Sequence, residues 1–340
     1  WQRPLVLQGK STTIKVHKNT GLYVLSEAIA QRGWVISPHV VRLVAELEGY
    51  KHVRFGEYAV TSGMTVAQLL HNTQHAQGLI DHRITFIEGK PFSVILSQLG
   101  RDNNLIHTLS GLTNPQIMKR LGLPGDSPEG LFFPDTYRFT WGVTDASVLK
   151  QAYAQMQTTL QSEWEQRGDG LPYKTAYQAL IVASMIESEA SRSTERPLVA
   201  SVIVNRLRKH MRLQIDPTVM YGLGKPFGSV LTRRDLMTLT PYNTYRNYGL
   251  PPTPINMPGS ASLHAALHPA KTTYLYYVSN DKGGHVFSGN YKQHRLAVRQ
   301  YRLQIQKKKN QMESWRDEVM CYRELMQWRF MVFLKCFLSW

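Results

Sequence analysis

At 340 residues and 38.9 kDa, with 42% hydrophobic and 19% charged residues, the chain is long enough for two domains with separate cores, and its composition excludes disorder over most of its length. A formal net charge of +16 and a pI near 9.8 attract polyanions, but charge alone does not choose among nucleic acid, anionic lipid and an acidic cell-wall polymer. Both cysteines, Cys321 and Cys336, fall in the last twenty residues, which excludes a disulfide or a thiolate metal site from everything before them.

The chain starts at Trp1 rather than methionine and holds no apolar run of about 18 residues or more, the length a bilayer span needs. A truncated start is therefore expected, one that removed any signal or anchor. The segment from Ser11 to Gln74 reads as strand, helix, helix, strand, helix. Val16 closes an alternating run, Leu22, Leu25 and Ile29 and then Val40, Leu43 and Leu47 recur at helical spacing, and "GMTVAQLL" starts a helix after a Ser-Gly turn. A strand "HRITFIEG" and a helix near "PFSVILSQLG" follow, so the first hundred residues make an α+β module. Between Arg101 and Thr140 the chain is richer in Gly, Pro and Asn and reads as a connector carrying "PEGLFFPDTYRF".

Three long helical patterns come next: "DASVLKQAYAQMQTTLQSEWEQR", "YKTAYQALIVASMIESEA" and "STERPLVASVIVNRLRK". Thr194 is the expected N-cap of the last, with Pro197 in its first turn. A Pro, Gly and Asn-rich loop system, two strands at "TYLYYVS" and "HVFSG" around the turn "NDKGG", and a helix "YKQHRLAVRQYRLQIQKKK" complete the folded part. The tail from Gln311 to Trp340 differs in composition; an unstructured extension and an interfacial amphipathic segment both fit it.

The middle helix of the three is apolar around nearly its whole circumference between Ala179 and Ile186, which predicts a helix enclosed by others. It nevertheless ends on two carboxylates, Glu187 and Glu189. Two residues apart on a helix, they point roughly 200° away from each other and cannot face one another as a pair. A carboxyl in apolar surroundings has its charged form disfavoured, so its pKa rises toward the range of a general acid at neutral pH. The other reading is an ion pair with Arg192, Arg196, Arg206 or Arg208 that merely joins helices, and residue spacing leaves both open. "RLQIDPTVMYG" adds Gln214, Asp216, Thr218 and Tyr221, and "TPYNTYRNYGLPPTPI" adds Tyr242, Asn243, Tyr245 and Tyr248. These amide, carboxylate and aromatic groups suit a sugar cleft, and suit a rigid surface loop about as well.

The twelve histidines show no HExxH or paired Cys/His spacing, and GxGxxG, GxxxxGK[ST] and GxSxG are all missing. No metal, no nucleotide cofactor and no nucleophile-elbow hydrolase is expected. The two helices between residues 20 and 48 could pass for a helix-turn-helix, yet Arg32 and Arg42 are their only firm cations, which argues against nucleic acid as a partner.

The motifs "EGLFFPDTYRF", "ASMIESEA", "ERPLVASVIVNRL", "MRLQIDPTVMYGLG", "PYNTYRNYGLPPTPI", "HPAKTTYLYYV" and "GGHVFSGNYKQH", in this order, resemble the YceG-like family over about residues 12 to 306. The resemblance implies an α+β fold in which a LysM-like module (12–82), after a linker (1–11), leads through a connecting α+β segment (83–140) to a mainly helical catalytic domain with a short β-sheet (141–308). The tail (309–340) has no counterpart in it. It also implies a lytic transglycosylase of peptidoglycan, anchored in the bacterial inner membrane by an N-terminal helix absent here, with its catalytic domain in the periplasm and cell-wall synthases as neighbours. A peptidoglycan-binding scaffold without catalysis is the alternative. In the family's E-x-E pattern the second glutamate is catalytic, which implies Glu189 with Glu187 in support. Substrate contacts are implied, by matching motifs only, for Tyr137, Gln214, Asp216, Asn243 and His285. Ser188 and Ala190 depart from the residues common in that pattern, and both carboxyls remain.

Overall fold

The computed structural model describes residues 3–190, 192–280, 282–308 and 310–312; the tail segment singled out by composition lies almost wholly outside the described residues. The chain divides into two compact units, one built from the residues up to 166 together with 252–263, the other from 167–251 and the chain from 264 onward. The helix at 145–165 thus falls in the first unit, whereas the resemblance implies a boundary at 140/141.

In the first unit β1 (Ser11–Val16), α1 (Leu22–Gln31), α2 (Pro38–Leu47), β2 (Gly56–Thr61) and α3 (Val66–His75) follow one another, with β1 and β2 antiparallel from Ser11 opposite Thr61 to Val16 opposite Gly56. Alternation points Ile14 and Val16 inward onto Leu25, Ile29, Leu69 and Leu70. A capping box between Thr65 and Gln68 starts α3 where the Ser-Gly turn predicts it. α2 departs from expectation: its buried row is Val41, Val44 and Ala45, and Val40, Leu43 and Leu47 are exposed. Both rows have helical spacing, so periodicity could not choose between them. The row with alanine packs inward.

Next come β3 (Asp81–Thr85), α4 (Phe92–Arg101), β4 (Leu105–Ile106), α5 (Asn114–Leu121), β5 (Thr136–Thr140), β6 (Val143–Thr144) and α6 (Asp145–Glu165). β3 and β5 pair antiparallel, β4 and β6 parallel. The stretch read as a connector therefore contains a helix, α5, closed at its start by a Thr113–Gln116 capping box and held by buried Ile117, Met118 and Leu121.

The second unit carries α7 (Ala176–Glu189), a 3-10 turn (Ser193–Glu195), α8 (Arg196–Arg208), α9 (Asp216–Gly222), α10 (Arg233–Met237), the end of α11 (Ser260–Leu267), β7 (Tyr276–Ser279), β8 (His285–Ser288) and a helix over 291–308. Every residue from Ala179 to Ile186 is buried, as an all-round apolar helix requires. Thr194 does not cap α8. The 3-10 turn moves the start so that Glu195 is the N-cap, without a side-chain bond to the helix, because its carboxylate is engaged elsewhere. β7 and β8 form the expected hairpin, with Tyr277 opposite Phe287 and Ser279 opposite His285.

Candidate active site

The two glutamates that end α7 meet different surroundings. Glu187 lies against the start of α8, where Arg196 Nη2 donates to its Oε1 at 3.1 Å, with both side chains nearly covered. The other candidate arginines are engaged elsewhere: Arg192 with the Lys282 carbonyl, Arg206 with four acceptors described below, and Arg208 with the Gly170 carbonyl at 2.8 Å. Glu187 is therefore the ion-paired carboxylate.

Glu189, on the far side of the same helix, has no cation bonded to it among the described residues. Its pKa is pushed up to about 7, chiefly by burial and secondarily by the negative charge of Asp216, against a lowering hydrogen bond donated by the Tyr277 hydroxyl. The residue still keeps some open surface, so a substrate atom can reach it. A carboxyl balanced near neutrality holds a proton and releases it at modest cost, which is what a group acting first as acid and then as base requires.

Around it stands a frame of rigid polar contacts. Arg206, buried in α8, sends Nε to the Leu275 carbonyl (2.6 Å) and Nη1 to the carbonyls of Leu213 (2.6 Å) and Arg212 (3.2 Å) and to Gln214 Oε1 (3.3 Å). One guanidinium thus ties α8 to the residue just before β7 and to the segment leading into α9. Gln214 adopts φ 52°, a left-handed conformation that non-glycine residues rarely take, and its backbone N–H donates to the Thr244 carbonyl. Thr244 Oγ1 accepts from Ile215 N–H at 2.9 Å and bonds Thr218 Oγ1 at 2.9 Å, which staples the Pro-rich loop onto the start of α9. There Asp216 Oδ1 accepts from the Tyr245 hydroxyl at 2.5 Å. Burial, then Asp216, raises the Tyr245 pKa, and burial, then Glu189, raises that of Tyr277, so both phenols remain neutral donors.

Of the residues singled out by sequence, the structure brings Glu189, Gln214 and Asp216 into this frame, and His285 joins it through the edge of its ring on Tyr277 at 5.2 Å. Asn243 is fully buried and braces the loop instead: its Nδ2 donates to the Leu236 and Thr238 carbonyls and its Oδ1 accepts from Tyr245 N–H. Tyr137 belongs to the first unit, is buried in β5 and gives its hydroxyl to the Phe133 carbonyl at 2.6 Å, so it is a core residue there. Tyr277 and Glu195 were not predicted from sequence. Both lie inside recognisable motifs, but strand alternation and a helix-cap position are equally good explanations of each.

The family model described as the YceG-like family matches residues 14–300. The chain belongs to the YceG-like family. A relative from Bacillus subtilis named endolytic murein transglycosylase is 29% identical over 323 residues, which cover 88% of this chain and 87% of the relative. A Streptococcus pneumoniae protein of the same name is 23% identical over 314 residues, 83% of this chain but 56% of that longer protein. The crystal structure of a YceG-like protein from Listeria monocytogenes superposes with a TM-score of 0.56 at 25% identity, covering 84% of this chain and 98% of that one. The YceG-like chain is thus similar in sequence to two proteins named endolytic murein transglycosylase over 83–88% of its length, and in fold to a YceG-like protein.

Proposed function

We propose that this YceG-like chain is an endolytic lytic transglycosylase of peptidoglycan, with Glu189 as the single acid and base. The observation that carries the reading is the desolvated, near-neutral carboxyl of Glu189 at the open end of a buried helix, beside Asp216 and Tyr277. Protonated Glu189 gives its proton to the glycosidic oxygen, and the bond from C1 of N-acetylmuramic acid to O4 of N-acetylglucosamine breaks. The C6 hydroxyl oxygen of the same muramic residue closes on C1 while the carboxylate takes the C6 hydroxyl proton. The product is a 1,6-anhydro end, no water is consumed, and Glu189 finishes protonated as it began. One carboxyl suffices because the nucleophile is the sugar's own hydroxyl, so the two-carboxylate spacing of glycoside hydrolases does not apply.

Gln214, Asp216 and His285 are the residues of this frame that would meet the strand; Asn243 shapes the loop that carries Tyr245. Burial first, and the Asp216 charge second, keep the proton on Glu189 before the reaction, and the same charge would stabilise positive charge developing at C1. In this reading the enzyme acts on nascent strands beside the membrane, next to cell-wall synthases and held by a membrane anchor; no helix among the described residues is long and apolar enough to cross a membrane. The test is product analysis by mass spectrometry after incubation with nascent glycan. Anhydro-ended strands from the wild type and none from Glu189→Gln are expected. Reducing ends in place of anhydro ends would make it a hydrolase, and glycan binding with no cleavage would leave a scaffold.

A further inference from the structure

Six residues beyond Glu189, Glu195 is a second buried carboxylate that the reaction above does not use. Both of its oxygens are engaged by one residue of the hairpin. Oε1 accepts the His285 backbone N–H at 3.0 Å, and Oε2 lies 2.7 Å from His285 Nδ1, with the two side chains only 11% and 14% exposed. The approach is close: a Cβ on Gly284 would stand 2.4 Å from Oε1, so a side chain at that position would displace the carboxylate from His285. The His285 ring in turn meets Tyr277 edge-on, and Tyr277 donates to Glu189. The contacts run from the end of α7 through the 3-10 turn and the hairpin back to the carboxyl that ends α7.

An ionised carboxylate only accepts, so its partner nitrogen must carry a proton. In a neutral imidazole this places the proton on Nδ1 and leaves Nε2, across the ring, as an acceptor. We propose that Glu195 is a positioning residue that holds His285 in the Nδ1–H tautomer, so that Nε2 accepts a hydrogen bond from a hydroxyl or acetamido N–H of the bound glycan. This rests on the reading of the site as a glycan-cleaving one. A pair that only fastened the hairpin would need the same Nδ1–H, so the two roles separate on glycan binding: only the positioning role weakens it when the ring proton moves to Nε2.

The tautomer can be read without turnover, from imidazole 15N shifts of the whole protein at pH 8, the His285 signals being assigned by their loss in His285→Asn. The Nδ1–H pattern is expected. In Glu195→Gln, which has the same shape, the amide NH2 donates to Nδ1, the ring proton moves to Nε2, and the KM for glycan strands rises about tenfold while kcat changes less than threefold. A wild-type spectrum of the Nε2–H or cationic form overturns the proposal whether or not the variant folds. So does a tautomer switch in Glu195→Gln that leaves KM unchanged. If the wild type makes no anhydro ends, the functional reading fails and the proposal is decided by the tautomer together with the Kd for glycan strands in sedimentation.

Discussion

Glu187 and Glu189 sit on one helix, two residues apart, and differ in almost everything that matters to a carboxyl. Glu187 faces Arg196 across the turn into α8, and Glu189 faces Asp216 and two neutral phenols. The neighbours brought by other segments, rather than position along the helix, divide the two into a joint and a reagent. The comparison breaks most visibly on substitution. Glu189→Gln is expected to lower turnover about a thousandfold or more with the fold intact, as loss of a general acid and base does. Glu187→Gln should keep turnover within about threefold but lose roughly 1–3 kcal/mol of stability in urea titration, because Arg196 is left without its charged partner. The opposite result would exchange the roles.

The pH profile sharpens the same contrast. Glu189 must be protonated to begin the reaction, so activity should fall as pH rises through about 7. Asp216→Asn removes a negative charge that raises the Glu189 pKa, and the basic limb should move to lower pH. Tyr277→Phe removes a hydrogen bond that lowers it, and the limb should move to higher pH. Rate measurements between pH 5 and 9 check both directions, and two variants moving the limb the same way would contradict the arrangement.

Stability carries the complementary sign. A carboxyl whose folded pKa is raised binds protons more tightly in the native state, so its contribution is fully present below the ordinary value of 4.5 and is lost as pH rises toward about 7. Glu189→Gln escapes that loss and should be more stable than the wild type at pH 8, by on the order of 3 kcal/mol, with the difference shrinking by pH 5. Calorimetry of the two proteins at both pH values measures it. A native site holding a group at a cost to its own stability is the expected trade for a reactive carboxyl.

Much of the scaffold could be read from residues alone, because it depends on local pattern. The all-round apolar stretch of α7, the alternation of β1 and the β7–β8 hairpin each have one physical explanation, and each is found. What periodicity could not decide was a choice between equal patterns: two helical rows on α2 with the same spacing, and four arginines able to reach Glu187. The latter choice is made at the 3-10 turn Ser193–Glu195, after which Arg196 meets Glu187 and from which Glu195 reaches His285. α5 escaped notice because its eight residues lie in a Gly- and Pro-rich stretch and rely on a capping box. Motif membership marked Asn243 and Tyr137 without telling a brace or a core residue from a ligand.

Tyr137 offers the smallest and cleanest separation of those meanings. Its hydroxyl donates to the Phe133 carbonyl within β3–β5 surroundings, its ring lies 5.1 Å from Phe86, and burial, then the charge of Asp135, raises its pKa. Tyr137→Phe keeps the ring and removes one buried hydrogen bond, so about 1 kcal/mol of stability should be lost, with KM and kcat unaltered. A rise in KM with stability unchanged would instead mean that the hydroxyl meets the glycan, because a substrate contact acts on binding and a core hydrogen bond on folding. The same substitution therefore reads both meanings on separate instruments, a urea titration and a substrate titration.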